Sequence, residues 1–171
     1  ISLSLAKKSI YALVNNEGYD IYRPIEEDCT LDLKTKEESF SVLNHSCSHL
    51  LASAIKKLYP QALFGVGPAI AEGFYYDINP GEQVVISEDD FPMIEKQMKE
   101  IANKDLLFKR TSVSKKQALE YFAKDRYKQE IINELPENEL ITIYETGDFV
   151  DLCRGPHVSS TKYLKNFKLL S

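Results

Sequence analysis

From Glu38 to Tyr59 the apolar residues recur at the spacing of a helix, with Leu43, Cys47, Leu50, Leu51, Ala54, Ile55 and Leu58 falling into one stripe at about 100° per residue. His45 and His49, four apart, share a face away from that stripe, and their neighbours Ser48 and Ala52 are small enough to leave room for something to approach. Before this helix, a short segment containing Leu5 to Lys8 leads into a strand, Ile10 to Val14. Asn15-Asn16-Glu17-Gly18 predicts a hairpin turn and Tyr19 to Tyr22 its partner strand. Pro24 to Asp28 reads as a loop, Cys29 to Leu33 as a further strand, and Lys34 to Glu38 as a charged linker.

After the helix, Leu63 to Val66 and Gly73 to Ile78 read as strands joined through Gly67-Pro68. Gly65, Gly67 and Gly73 mark either close backbone packing, against a ligand or otherwise, or ordinary turn chemistry. Ser87 to Asp90 caps a helix running to about Lys104, with Phe91, Ile94, Met98 and Ile101 inward. Leu106 to Val113 is strand-like, Ser114 with Gln117 forms a capping box for a helix to about Lys124, and Arg126 to Leu135 suits a short helix. Leu140 to Tyr144 and Asp148 to Cys153 pair as a hairpin around Glu145-Thr146-Gly147, and Asn166 to Leu170 closes the chain as a strand. The expected fold is α+β: a mainly antiparallel sheet with the long histidine-bearing helix and further helices packed on it.

Composition narrows the function classes. The chain has 171 residues, 43% apolar and 27% charged, which suits a packed globular core. A formal net charge of −5 argues against a general nucleic-acid coat protein, while leaving local lysine contacts to RNA open. Three cysteines without a signal-like segment suggest a reducing compartment, so a cytoplasmic protein is expected. No apolar run approaches the length of a membrane span. The chain begins at Ile1 and opens directly into structure, which suggests a piece of something longer. Residues 1–36 are marginal as an independent unit and are expected to lean on a main domain over residues 37–171.

The chemistry gathers in two stretches that hold all three histidines. The first is His45-Ser46-Cys47-Ser48-His49; the second is Asp151-Leu152-Cys153-Arg154-Gly155-Pro156-His157. Strand alternation points Asp151 and Cys153 to one face, and Gly155-Pro156 turns the chain to bring His157 back towards it. Together, His45, His49, Cys153 and His157 form either a tetrahedral zinc set or, with Asp151 and a lysine, a metal-free polar pocket that binds and positions a water for hydrolysis. Spacing alone leaves both open.

These motifs carry a resemblance. His45 to His49, Gly65-Val66-Gly67-Pro68 followed by Glu72-Gly73-Phe74-Tyr75-Tyr76-Asp77, and Asp148 to His157 closely resemble the editing domain of bacterial threonyl-tRNA synthetases, with Phe167 to Ser171 resembling its exit towards the catalytic domain. Residues 1–36 resemble the later part of the small β-grasp (TGS) domain that precedes it. The resemblance implies an aminoacyl-tRNA deacylase that removes serine from mischarged threonine tRNA, working beside the catalytic and anticodon-binding domains of a parent synthetase. It carries His45, His49, Asp151, Cys153, His157 and, through Tyr127-Lys128, Lys128 into the site; Lys128 rests on the resemblance alone.

In that reading His45 bonds the ribose hydroxyl or leaving oxygen, and Lys128 positions a water and stabilises oxyanion charge. Asp151 pairs with the substrate ammonium, while His49, Cys153 and His157 shape the pocket, with no catalytic metal. Two other readings compete. One is a zinc-dependent hydrolase of the alanyl-tRNA trans-editing type using His45, His49, Cys153 and His157; the other is an inactive tRNA-positioning module.

Overall fold

The computed structural model describes residues 2–170. A short helix α1 (Leu3–Lys8) precedes a three-stranded antiparallel sheet of order β2-β1-β3, built from β1 (Ser9–Val14), β2 (Glu17–Asp20) and β3 (Leu31–Thr35). The hairpin turns at Asn15 and Asn16 alone, whose φ values of 50° and 67° are left-handed, the conformation that a tight two-residue turn requires; Glu17 and Gly18, expected in the turn, are already paired, so the partner strand lies two residues earlier than Tyr19 to Tyr22. The third strand lies two residues later than the alternation from Cys29 suggests and takes in Lys34 and Thr35 of the supposed linker. The sheet is not free-standing: Ile10, wholly buried, belongs to the same core as Val42, Leu50 and Tyr144.

Helix α2 (Phe40–Leu58) is the histidine helix and the centre of the main core. Where the sequence predicts two continuous strands, the structure has four two-residue ones: β4 (Leu63–Phe64), β5 (Ala69–Ile70), β6 (Gly73–Phe74) and β7 (Ile78–Asn79), pairing as β4-β7 and β5-β6. The break falls where the Gly67 backbone crosses the Tyr76 ring; a Cβ on Gly67 would lie 2.3 Å from that ring. Close packing is thus what Gly67 serves, and its partner is an aromatic side chain of the protein itself. Nothing lies within 4 Å of a Cβ built on Gly73, so the crowding inferred from three clustered glycines does not extend to it.

Helix α3 (Phe91–Ala102) buries Ile94, Met98 and Ile101 against α2, as its stripe predicts. Strand β8 (Lys109–Val113) leads through the Ser114–Gln117 capping box into α4 (Lys115–Tyr121) and then α5 (Arg126–Glu134). Strands β9 (Ile141–Thr146) and β10 (Phe149–Leu152) complete an antiparallel sheet of order β10-β9-β8. Its two faces differ. Ile141, Ile143, Val150 and Leu152 pack against α4 and α5, whereas Tyr144, Phe149 and Asp151 face α2. The fold is therefore α+β, with several small antiparallel sheets in place of one larger sheet.

The strand expected over Asn166 to Leu170 does not form. The Leu169 N–H donates at 2.9 Å to the Glu95 carboxylate on α3, and the Lys168 ammonium sits 3.0 Å from the same group. The backbone donor that a strand would offer to a neighbour is bound to a helix side chain instead. Ser171 lies outside the described residues. No described helix is long and apolar enough to cross a membrane.

Candidate functional site

Helix α2 and strand β10 meet with the 65–68 loop closing over them, and between them lies a cavity of about 290 Å³ lined by His45, Gly67, Tyr76, Lys128, Asp151 and Cys153 among others. A larger groove of about 740 Å³ beside α3 is lined mostly by apolar residue types, with Glu72 and Lys168 its charged ones. The chemistry is in the smaller cavity.

The helical spacing of His45 and His49 puts both rings on the β10 side, 5.1 Å apart and edge to face. The face is more covered than the small neighbours imply. Ser48 and Ala52 are fully buried, Ser48 donates to the Gly67 carbonyl at 2.6 Å, and His49 is 3% exposed. Only His45 remains half-buried towards the opening.

His157 returns to this face as the Gly155-Pro156 turn predicts, through a cis peptide bond and a left-handed Gly155. Its ring stacks between His45, at 4.5 Å, and Phe108, at 4.8 Å. His45 Nε2 lies 2.9 Å from Cys153 Sγ, and His157 Nε2 lies 3.4 Å from the same sulfur. Sequence separations of about a hundred residues thus collapse into one cluster, in which donor atoms of His45, His49, Cys153 and His157 all lie within 4.8 Å of one another.

Burial governs the protonation of this cluster. Loss of water lowers the His45 pKa, offset in part by the Gly67 carbonyl and Asp151. It lowers His49 to about 4 despite the nearby Asp151, and takes His157 well down, helped by the other two imidazoles. The Cys153 thiol is pushed up to about 12 by burial, although the Gly155 N–H donates to its sulfur at 3.2 Å. At neutral pH the site holds three uncharged imidazoles and a thiol.

Beside them lies a buried ion pair. The Asp125 carboxylate caps α5, accepting from the Tyr127 and Lys128 amides, and this fixes Lys128 in the first turn, aimed inward. Lys128 is 3% exposed, and its ammonium meets Asp151 at 2.5 Å, the Gly65 carbonyl at 2.7 Å and the Tyr76 hydroxyl at 3.3 Å. Composition alone suggests a surface lysine here; the cap buries it.

Asp151, 1% exposed, also accepts from the Tyr76 hydroxyl and the Leu152 amide, with His49 Nε2 at 3.4 Å. Burial acts to raise its pKa, but the Lys128 ammonium, with the hydrogen bonds from Lys128 and Tyr76, outweighs that and holds the carboxyl below its ordinary value. The carboxylate read from sequence as a partner for a substrate ammonium is thus occupied by protein groups.

Two residues of the site carried no role in the sequence reading. Tyr76 bridges Lys128 and Asp151, and burial next to that carboxylate raises its pKa well above the ordinary value. Ser46, fully buried, shares a hydrogen bond of 3.0 Å with His157 Nδ1 and accepts from the Val158 amide at 3.1 Å. Its place between the two helical histidines is the one local hint.

Tetrahedral zinc with nitrogen ligands at about 2.0 Å and sulfur at about 2.3 Å spaces its donors about 3.5 Å apart. The Cys153 to His157 separation of 3.4 Å matches, and the His45 to Cys153 separation of 2.9 Å needs a small opening. His49 Nδ1 is buried without a hydrogen-bond partner. The donor set fits.

Comparisons with known proteins place this site in a family context. Residues 1–35 match the TGS domain, and residues 141–171, which include Asp151, Cys153 and His157, match the threonyl and alanyl tRNA synthetase second additional domain. The chain therefore joins a TGS segment to a domain class of tRNA synthetases.

All of the chain aligns with threonine--tRNA ligases: 48% identical over 173 residues to that of Staphylococcus carnosus, and 49% to those of Enterococcus faecalis and Acholeplasma laidlawii. It is a homologue of these threonine--tRNA ligases along its entire length. It covers 26% of the first and 27% of the other two, about a quarter of the length of these curated relatives.

Proposed function

We propose that this chain is the proofreading part of a threonyl-tRNA synthetase and hydrolyses the ester that joins serine wrongly to threonine tRNA. The observation that carries the reading is the small cavity in which a half-buried, uncharged His45 and the Lys128 ammonium border the same space. The need for such a step follows from physics. Serine and threonine differ by one methyl, worth roughly 1 to 3 kcal/mol in a synthetic pocket, so a second, smaller site must sort in the opposite sense. In the parent enzyme, in the cytoplasm, this part receives the tRNA acceptor end from the catalytic domain, with a division near residue 36 between the TGS segment and the hydrolytic domain.

In this mechanism the seryl ester enters beside His45, whose uncharged imidazole hydrogen-bonds the ribose hydroxyl or the leaving oxygen; the proton released by the attacking water ends on that leaving oxygen as the ester C–O bond breaks. All three Lys128 donors are engaged, and the 3.3 Å bond to Tyr76 is the weakest of them. A water, and then the oxyanion, displaces that bond and meets the ammonium. Asp151 holds Lys128 in place, and His49, Cys153 and His157 shape the wall.

A second reading rests on the unpartnered His49 Nδ1 and the inward donor set. His45, His49, Cys153 and His157 would hold zinc, with Asp151 and Ser46 bracing two of the imidazoles from outside. Bound there, zinc supplies Lewis acidity, but four protein ligands close a tetrahedral shell, and water activation needs an open position.

The deciding experiment follows seryl- and threonyl-tRNA through incubation with the protein, before and after a strong chelator. Chelator-resistant loss of serine with threonine retained is the expected result, and His45→Ala or Lys128→Ala should slow it by about a hundredfold or more. Chelator-sensitive loss moves the reading to zinc. Wild-type rates in both variants, or no hydrolysis by the wild type, would overturn the proposal.

A further inference from the structure

The loop that carries Cys153 and His157 is held from outside the motif. Asp20, the last residue of β2, lies 137 positions before His157 and accepts its backbone N–H at 2.9 Å. Its other carboxylate oxygen accepts the Tyr144 hydroxyl at 2.7 Å. That hydroxyl lies against Gly155, where a Cβ would come within 2.0 Å of it, and the Tyr144 ring meets His157 edge-on at 4.5 Å. In the same strand Gly18 packs on Pro156, with room for no Cβ, since one would sit 2.7 Å from the proline ring. The N-terminal sheet therefore touches residues 155, 156 and 157, directly or through Tyr144.

We propose that Asp20 is a positioning residue for the hydrolytic site: through one carboxylate the TGS segment sets the backbone at His157, and with it the imidazole and thiol that stand against His45. The kinetic part of this inference rests on the editing reading above; the structural part does not. An amide and a hydroxyl converge on one carboxylate, which is a stronger acceptor than a neutral group. Without it the His157 amide loses its partner beneath the site, and the 155–157 turn keeps its Gly18–Pro156 packing but loses its hydrogen-bond tie to the sheet. An error of about 1 Å at a reacting centre can cost about a hundredfold in rate. The TGS segment thereby becomes part of the site's frame.

The test compares Asp20→Ala, Asp20→Asn and Tyr144→Phe in the 171-residue chain. Hydrogen exchange at the His157 amide and alkylation of Cys153 are read without substrate, and kcat and KM are read with seryl-tRNA. Asparagine still accepts the His157 amide through its carbonyl and donates to the Tyr144 oxygen through its amide.

We expect Asp20→Ala to speed His157 exchange and Cys153 alkylation by about tenfold and to lower kcat by about ten- to a hundredfold with KM nearly unchanged. Asp20→Asn should return both to within about threefold of wild type, and Tyr144→Phe should move both in the same direction as alanine by a smaller factor. Wild-type exchange at His157 in both Asp20→Ala and Tyr144→Phe would overturn the proposal. So would faster exchange with kcat unmoved. If the wild type itself releases no serine, the editing reading falls, while the exchange and alkylation rates still decide whether Asp20 holds the loop.

Discussion

Two ion pairs, one inside the cleft and one that reaches its edge through Arg154, differ in almost every physical respect. At its floor Lys128 meets Asp151 at 2.5 Å with side chains 4% and 1% exposed; at its rim Arg154 meets Glu139 at 2.8 Å with the arginine 84% exposed. Water and salt screen the rim pair, and such pairs contribute about 0 to 1 kcal/mol. Each ion at the floor gives up hydration worth several kcal/mol, which mutual attraction repays only if the remaining hydrogen-bonding positions are filled. They are filled here by Gly65, Tyr76 and Leu152. An apolar pair of similar volume would serve stability as well or better. The floor pair is thus better explained by chemistry than by stability, and the rim pair by neither.

Breaking the floor pair should have the largest effect. Asp151→Ala strands a buried ammonium and is expected to cost about 3 to 5 kcal/mol in denaturant unfolding. The double change Lys128→Met with Asp151→Leu should recover much of that loss while abolishing hydrolysis; simple addition of the two single losses would contradict the account.

Next in size is acid. The His49 pKa is lowered to about 4 in the folded chain, so the unfolded chain binds the extra proton between about pH 6.5 and pH 4. Because the unfolded state holds more protons there, stability falls as pH drops through that window, by roughly 3 kcal/mol from His49 alone. His45 and His157 shift in the same direction. Urea midpoints at pH 7 and pH 4.5 check this, and a His49→Gln variant should show a shallower decline.

Ser46→Ala removes the bond to His157 Nδ1 and the acceptor for the Val158 amide. An expected loss of about 1 to 3 kcal/mol follows from the buried groups left unpaired. Smallest of all, Arg154→Ala should change stability by no more than about 0.5 kcal/mol. A loss like that at Asp151 would erase the contrast between floor and rim.

Local patterning made part of this molecule legible. The apolar stripe of α2 places His45 and His49 on one side at four-residue spacing, because helix period and side-chain type are both local. The Ser114–Gln117 box and the Asn15-Asn16 turn also form as their residue chemistry dictates. Strand alternation explains why Asp151 shares a face with Tyr144 and Phe149 while Val150 and Leu152 face the other way.

Other features depend on neighbours that no local window contains. Lys128 is buried because Asp125 caps its helix and Gly65 and Asp151 wait across the cleft. The 63–79 segment breaks into short strands because Gly67 crosses Tyr76, and 166–170 stays out of a sheet because Glu95 takes its amide. Asp20 reaches His157 only once the N-terminal sheet has docked. Sequence by itself determined which residue types stand on which face of each helix and strand, since that is set by chain geometry. Tertiary structure alone decided which polar groups lose their water and which partners replace it, because burial and charge pairing depend on segments far apart in the chain.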